Sequence, residues 1–372
     1  MKALITTTLI LVAAIVKATA GHGTGATLAP VAPQLLSQTG LYTTPPRTIR
    51  AAGTPAGEGM LHIDSRNRPF SPQYPLWSDG AAKRRWIRLP EGAAIDATNL
   101  SRWEFPIGTK FWKEFSFDGH KVETRFLWRV STDRWVFASY AWNAAQTDAT
   151  LAPEAGIPDV AEVAPGKRHT IPGTADCRSC HDSARTEILG FDALNLSDDR
   201  DPNAPHAEPL TRGMITLRAL TEENLLTPNR TELVTRPPRI EAASAQARAA
   251  LGYLSTNCGS CHNRESSIAS LGLILKHSLS EPRGQCTAAL ATTAGKRGHW
   301  VVPEAQEASR IINPGHPESS ALVRRVKSRR PSSQMPPLGT VLIDRQAVDL
   351  LTSWVQSNPE QWQAAIARCS SS

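Results

Sequence analysis

KFWKEFSF at Lys110–Phe117, DG at Asp118-Gly119 and KVETRFLWRV at Lys121–Val130 form the stretch on which the fold turns. Both runs are short, aromatic-rich and alternating, which is the pattern of strands. An Asp-Gly pair between two such runs is the sequence of a tight hairpin turn. Outward from there, Arg85–Leu89 and Trp135–Trp142 repeat the pattern, with turn residues at Pro90-Glu91-Gly92 and Ser131-Thr132-Asp133. Seven of the ten tryptophans (Trp77, Trp86, Trp103, Trp112, Trp128, Trp135 and Trp142) fall between Phe70 and Thr150. These features predict an antiparallel β-domain over 60–165, a sandwich or small barrel. Its tryptophans belong to a core rather than to a sugar-binding platform. Glu114, Glu123 and Asp148 admit an acidic site there, against the plainer reading as solvated strand residues.

The flanks differ in composition. Lys2, an apolar run from Leu4 to Val16 and Ala18-Thr19-Ala20 have the layout of an export signal, with cleavage expected after Ala20. The alternative, an uncleaved anchor, is disfavoured because a membrane span needs about 20 apolar residues. Residues 21–59, rich in Ala, Thr, Pro and Gly, read as an extended lead. The chain is 40% hydrophobic and 20% charged, which is enough apolar content for a core. Its net charge of +7 drops to +5 once Lys2 and Lys17 leave with the signal. That modest excess, with no basic stripe interleaved with aromatics, argues against nucleic acid as a partner.

Downstream the periodicity turns helical. Arg239–Thr256 spaces Ala243, Ala247, Ala250, Leu251 and Leu254 for one face, and Asp344–Gln356 places Ala347, Leu350, Leu351 and Trp354 behind an Asp344 N-cap. Four of the six cysteines lie in two matching patterns, Cys177-Arg178-Ser179-Cys180-His181 and Cys258-Gly259-Ser260-Cys261-His262. C-x-x-C-H is the attachment pattern of haem c. Two thiols three positions apart reach two vinyl groups on one haem edge, and the adjacent imidazole is then held under the iron. A zinc ribbon needs no adjacent His and favours reducing compartments. A thioredoxin-like dithiol needs a βαβ context, which is missing. The expected fold class is therefore α+β. It comprises the β-domain followed by an all-α cytochrome c-like region carrying two haems, made of a first haem-attachment segment over 166–238 and a cytochrome c domain with the second haem over 239–372. Cys286 and Cys369 suggest a disulfide in an oxidising compartment, or else two free thiols.

Sixth iron ligands follow from the remaining Met and His residues. Met335, in Ser333-Gln334-Met335-Pro336-Pro337-Leu338-Gly339, sits in a proline-stiffened loop suited to hold a thioether against the second iron. For the first iron the candidates are His206 and Met214, with His169 a further possibility and an open position the alternative. Arg324, Arg325, Lys327, Arg329 and Arg330 are either a docking ring for an acidic redox partner or propionate partners on a solvated helix face.

Three stretches, Tyr253–His262, Asn313–Ser320 and Met335–Gly339, resemble the motifs of cytochrome c domain proteins. Tyr74-Pro75-Leu76-Trp77-Ser78-Asp79-Gly80, with Phe105-Pro106-Ile107-Gly108-Thr109-Lys110, resembles the N-terminal region of a poorly characterised bacterial family of dihaem c-type cytochromes. The resemblance implies a periplasmic protein of a Gram-negative bacterium. It also implies Cys258 and Cys261 as anchors of the second haem, with His262 and Met335 as its iron ligands. The leading expectation is electron transfer between redox proteins, such as a periplasmic dehydrogenase and a terminal acceptor, without stable membrane insertion. The alternatives are a dihaem peroxidase-like enzyme with one open iron, and a β-domain that docks a partner and uses the haems as its electron outlet.

Overall fold

The computed structural model describes residues 30–43, 61–182, 188–280 and 286–370, and those from Ala32 onward belong to one compact unit. The expected export signal and most of the expected extended lead lie outside the described residues. In chain order the strands are β1 (Arg68–Pro69), β2 (Ala82–Arg88), β3 (Ile95–Asp96), β4 (Lys110–Phe117), β5 (His120–Arg129), β6 (Trp135–Trp142), β7 (Ala149–Leu151), β8 (Ile157–Ala164), β9 (Lys167–Ile171) and β10 (Leu226–Thr227). The helices are α1 (Thr174–His181), α2 (Leu217–Glu222), α3 (Glu232–Thr235), α4 (Ala245–Asn257), α5 (Ala288–Thr293), α6 (Ala321–Val326), α7 (Arg345–Val355) and α8 (Pro359–Ser370).

Six strands make one antiparallel sheet in the order β1-β2-β4-β5-β6-β7. Its centre is the β4–β5 hairpin, closed at Asp118 (φ 48°) and Gly119 (φ 81°). Two successive positive φ angles make the turn that matches strand twist, and Asp-Gly tolerates them best. Strand alternation divides the side chains between two faces. The register Trp86–Trp112–Phe126–Ala138 puts these four on one face, buried with Leu36, Leu41 and Tyr42. Trp112, 1% exposed, donates its indole N–H to Thr39 Oγ1 at 2.9 Å. The neighbouring row, Ile87–Phe111–Leu127–Phe137, lies on the other face and packs with Phe70, Phe105, Phe191 and Leu217.

Two expectations about architecture are corrected. Among the described residues the β-region is neither a sandwich nor a barrel, because the six-stranded sheet is open from β1 to β7 and the remaining strands form only the two-stranded pairs β3–β10 and β8–β9. Nor is the region beyond it all-α. α2, α5 and α6 have six residues each and α3 has four. β10 pairs in parallel with β3, and long irregular segments separate α4 from α5 and α5 from α6. Prolines and glycines in those segments stop helices by removing an N–H donor or by leaving the backbone unconstrained.

The helical signals held where periodicity and capping agree. α4 starts behind Ser244, whose hydroxyl accepts from Ala247 N at 3.1 Å. α7 starts behind Asp344, whose carboxylate accepts from Ala347 N at 3.0 Å. The two helices share a core of Ala250, Leu251, Leu254, Ala347, Leu351 and Val355. α8 stacks Trp362 on Trp354 of α7, 5.1 Å between centroids, and a Cys286–Cys369 disulfide ties it to the segment before α5. Among the described residues no helix is long and apolar enough to cross a membrane.

Candidate functional site

The second cysteine motif sits in the turn that ends α4. Cys258 N donates to Leu254 O, and His262 N closes back on Cys258 O at 2.8 Å. His262 O then accepts from Leu275 N at 2.8 Å, which fixes the strand-like return of the chain. Tyr74–Gly80 braces this corner. Asn257 Oδ1 accepts from Trp77 N at 2.8 Å, and Tyr74 lies flat against Gly252 of α4, where an added Cβ would stand 2.1 Å from the ring. Asp79, 4% exposed, accepts from Val341 N (2.9 Å) and Leu342 N (2.8 Å), just past the Met335 loop. One heptapeptide thus links the helix carrying Cys258 to the loop carrying Met335.

His262 is held neutral: burial lowers its pKa, and the Arg325 guanidinium lowers it further. Its Nδ1 is buried with no hydrogen-bond partner among the described residues. Arg325 also receives Met335 N on its carbonyl oxygen at 3.0 Å and donates Nε to Ser333 O at 3.2 Å. One residue therefore touches the Met335 loop and biases the motif imidazole. Burial pushes the Cys258 thiol up to about 12.

The first motif occupies α1, which follows the β8–β9 hairpin and lies against β6. His181 faces Phe137 of β6 at 5.2 Å, and the Arg178 guanidinium lies 5.7 Å from the same ring. Burial raises the Cys177 pKa, opposed by the nearby Arg125 charge and Ser139 hydroxyl. The two motifs approach each other: the Cys180 and Cys261 thiols act on one another, which raises the Cys180 pKa and lowers that of Cys261. None of the four motif cysteines is in a disulfide.

The donor set fits haem c on its chemistry. Two free C-x-x-C pairs, each followed by an imidazole, are available, and His262 carries an orphaned buried nitrogen. Cys177, Cys180 and His181 could hold one haem, and Cys258, Cys261 and His262 a second.

The remaining candidates are placed as follows. His206 Nε2 bonds Asp344 Oδ1 at 2.8 Å, and its ring stacks on Trp77 at 4.7 Å. Met214 Sδ accepts from Thr211 N at 3.5 Å within its own turn. His169, 4% exposed, bonds Glu123 Oε1 at 3.1 Å and faces Phe117. Of the lid cations, Arg329 is turned inward onto Leu342 O, Arg324 pairs with Glu304 at 3.0 Å, and Lys327 and Arg330 are exposed.

The reading of Glu114, Glu123 and Asp148 as solvated is corrected for the two glutamates, and the three do not form one acidic site. Glu114 is 2% exposed and pairs with Arg84 at 2.7 Å; Glu123 is 0% exposed and pairs with Arg125 at 2.6 Å. They occupy opposite faces of the sheet, as their register positions require, and Asp148 receives Ser37 N and Oγ at the first face. Ser139, Phe137 and Arg125 around the first motif, and Asn257 beside the second, were missed from sequence; Arg325 was read there only as one of the lid cations. Cross-strand register is the one signal that joins the first three. No family model, curated protein or solved structure matches the chain.

Proposed function

We propose that this chain is a periplasmic electron-transfer protein with two covalently attached haems, anchored through Cys177 and Cys180 and through Cys258 and Cys261. The observation that carries the reading is the contact between Cys180 and Cys261, which brings two attachment motifs 81 positions apart in sequence to one point. When bound, haem supplies a one-electron ferric–ferrous couple at each motif. The chain's part is to hold and tune that couple. The thioether anchors would retain it, His181 and His262 would serve as its imidazole ligands, and the Met335 loop, latched to Arg325, would offer a thioether at the C-terminal site. A Met ligand raises potential relative to a second His, which makes the C-terminal site the accepting end. The adjoining thiols give a short path between the sites. Exposed Lys327 and Arg330 steer an acidic redox partner, a periplasmic dehydrogenase or a terminal acceptor.

A dihaem peroxidase-like enzyme is the second reading. It is favoured by the engagement of His206 Nε2 by Asp344 and of Met214 Sδ by Thr211 N, which leaves the first iron's sixth position without a ready donor from either. Paramagnetic resonance of the oxidised protein separates the two readings. Two low-spin ferric signals and no peroxide turnover are expected of the carrier. A high-spin signal with peroxide turnover selects the enzyme, and a sample without iron signals rejects both.

A further inference from the structure

The inner face of the sheet carries a row of like charges that local structure alone does not explain. Arg85 stands opposite Lys113, Lys113 opposite Arg125, and Arg125 opposite Ser139. Three cations are thus direct cross-strand neighbours, an arrangement that destabilises a sheet. Lys83 lies on the same face, two residues from Arg85. The row ends at the first motif, because Ser139 lies on β6, against which α1 packs, and the Arg125 charge acts on both Cys177 and Cys180.

Acids balance only half of these charges. Glu208 reaches Arg85 at 2.8 Å and Glu123 reaches Arg125 at 2.6 Å. Asp344, the other carboxylate acting on Lys83, is held by His206 and the α7 N-terminus. Lys113 has no hydrogen-bond partner among the described residues; its ammonium rests over the Phe115 ring at 4.8 Å. Arg85 Nη2 and Arg125 Nε are buried and unpartnered among the described residues. The Arg85 side chain is only 5% exposed. Each guanidinium is paired with one carboxylate but keeps a buried N–H without an acceptor, and such a donor costs about 1–3 kcal/mol that a further anion would recover. Lys83 donates to Leu76 O, and neither Lys83 nor Lys113 has a contacting carboxylate, so the two propionates of one haem would supply the counter-charge that would let both amines be protonated. Burial, together with Arg85, Lys83 and Arg125, depresses the Lys113 pKa, as expected of a cation whose counter-charge is still to come.

We infer that the row Arg85–Lys113–Arg125 is the receptor for the propionate carboxylates of the haem attached at Cys177 and Cys180, with Lys113 as its central cation. This rests on the two-haem reading. It gives the sheet a role beyond scaffolding: its inner face fixes the orientation of the first haem and sets its potential. A cation beside the propionates disfavours the ferric form, so its removal lowers the potential.

The test uses the matured full-length protein, with Lys113→Met, Lys113→Arg and wild type compared by resonance Raman in the propionate-bending region and by redox titration. The expected result is that K113M keeps two haems per chain but shifts the propionate bands of one. It should also move the ferric/ferrous ratio of that haem toward ferric by about tenfold, or about 59 mV for one electron. K113R should restore both. If K113M does not accumulate, Lys113→Gln keeps polarity without charge and carries the same expectation. Two haems with unmoved bands and potential in K113M or K113Q would overturn the propionate assignment and leave the two-haem reading intact. Fewer than two haems in the wild type would overturn the parent reading itself.

Discussion

Gly252→Ala pits two effects of known sign against each other. In the interior of a helix the exchange should stabilise by about 1 kcal/mol. Here the new Cβ would lie 2.1 Å from Tyr74 Cε1 and 2.4 Å from Cδ1, far inside contact distance. The ring cannot swing out, because Tyr74 is 2% exposed, donates its hydroxyl to Asp201 at 3.1 Å and sits in the α4–α7 core. Overpacking costs about 1–3 kcal/mol, and loss of the buried Tyr74–Asp201 bond about 1–3 more. Subtracting the propensity gain leaves a net destabilisation of about 1–5 kcal/mol. Urea unfolding of the holoprotein, followed by tryptophan fluorescence, should show a lower midpoint with an unchanged slope. Tyr74→Leu in the G252A background should recover part of the loss, giving a non-additive cycle. A G252A protein as stable as wild type, or more stable, would refute the claim that Tyr74 pins α4 at this point.

Further outcomes are expected elsewhere. Met335→Ala should remove a Met–iron absorption band and lower the potential of one haem, read by near-infrared spectra and redox titration. Cys369→Ser should cost about 2–5 kcal/mol, because the disulfide spans 83 positions and its loss frees a long loop in the unfolded chain; chemical denaturation reads this directly. Asp79→Ala should cost about 1–3 kcal/mol through two backbone N–H groups left unmatched beside the Met335 loop. Burial raises the Asp79 pKa, opposed by those N–H groups. The unfolded carboxyl then ionises first, so wild type loses stability as pH rises through the raised folded pKa, while Asp79→Asn lacks that slope. Unfolding midpoints of D79N relative to wild type should therefore climb from pH about 4 upward.

How much was legible depended on the range of the interaction. The hairpin at Asp118-Gly119, four of the five long strands (β2, β4, β5 and β6, but not β8) and the caps Ser244 and Asp344 rest on alternation, turn chemistry and side-chain-to-backbone bonds within three or four residues. These are local, and the runs that carry them could be found by eye. The burial of Glu114 and Glu123 was not legible, because alternation assigns a face but does not say that both faces are covered. Covering came from residues far away, Leu36 and Tyr42 on one side and Phe191 and Leu217 on the other. The expectation of an all-α region generalised from two strongly periodic helices to segments where proline and glycine prevent further ones. Each C-x-x-C-H could be read as a unit. The contact of Cys180 with Cys261 and the alignment of Arg85, Lys113 and Arg125 toward Cys177 exist only once register and long loops are set.

The central claim concerns the four motif thiols, and haem stoichiometry tests it most directly. Pyridine haemochrome analysis, combined with intact mass of the exported protein, should return two haems per chain and a mass increased by two haem groups. Loss of one haem each on Cys177→Ala/Cys180→Ala and on Cys258→Ala/Cys261→Ala should assign them. A mature protein with no bound porphyrin, or with zinc at these thiols, would contradict it.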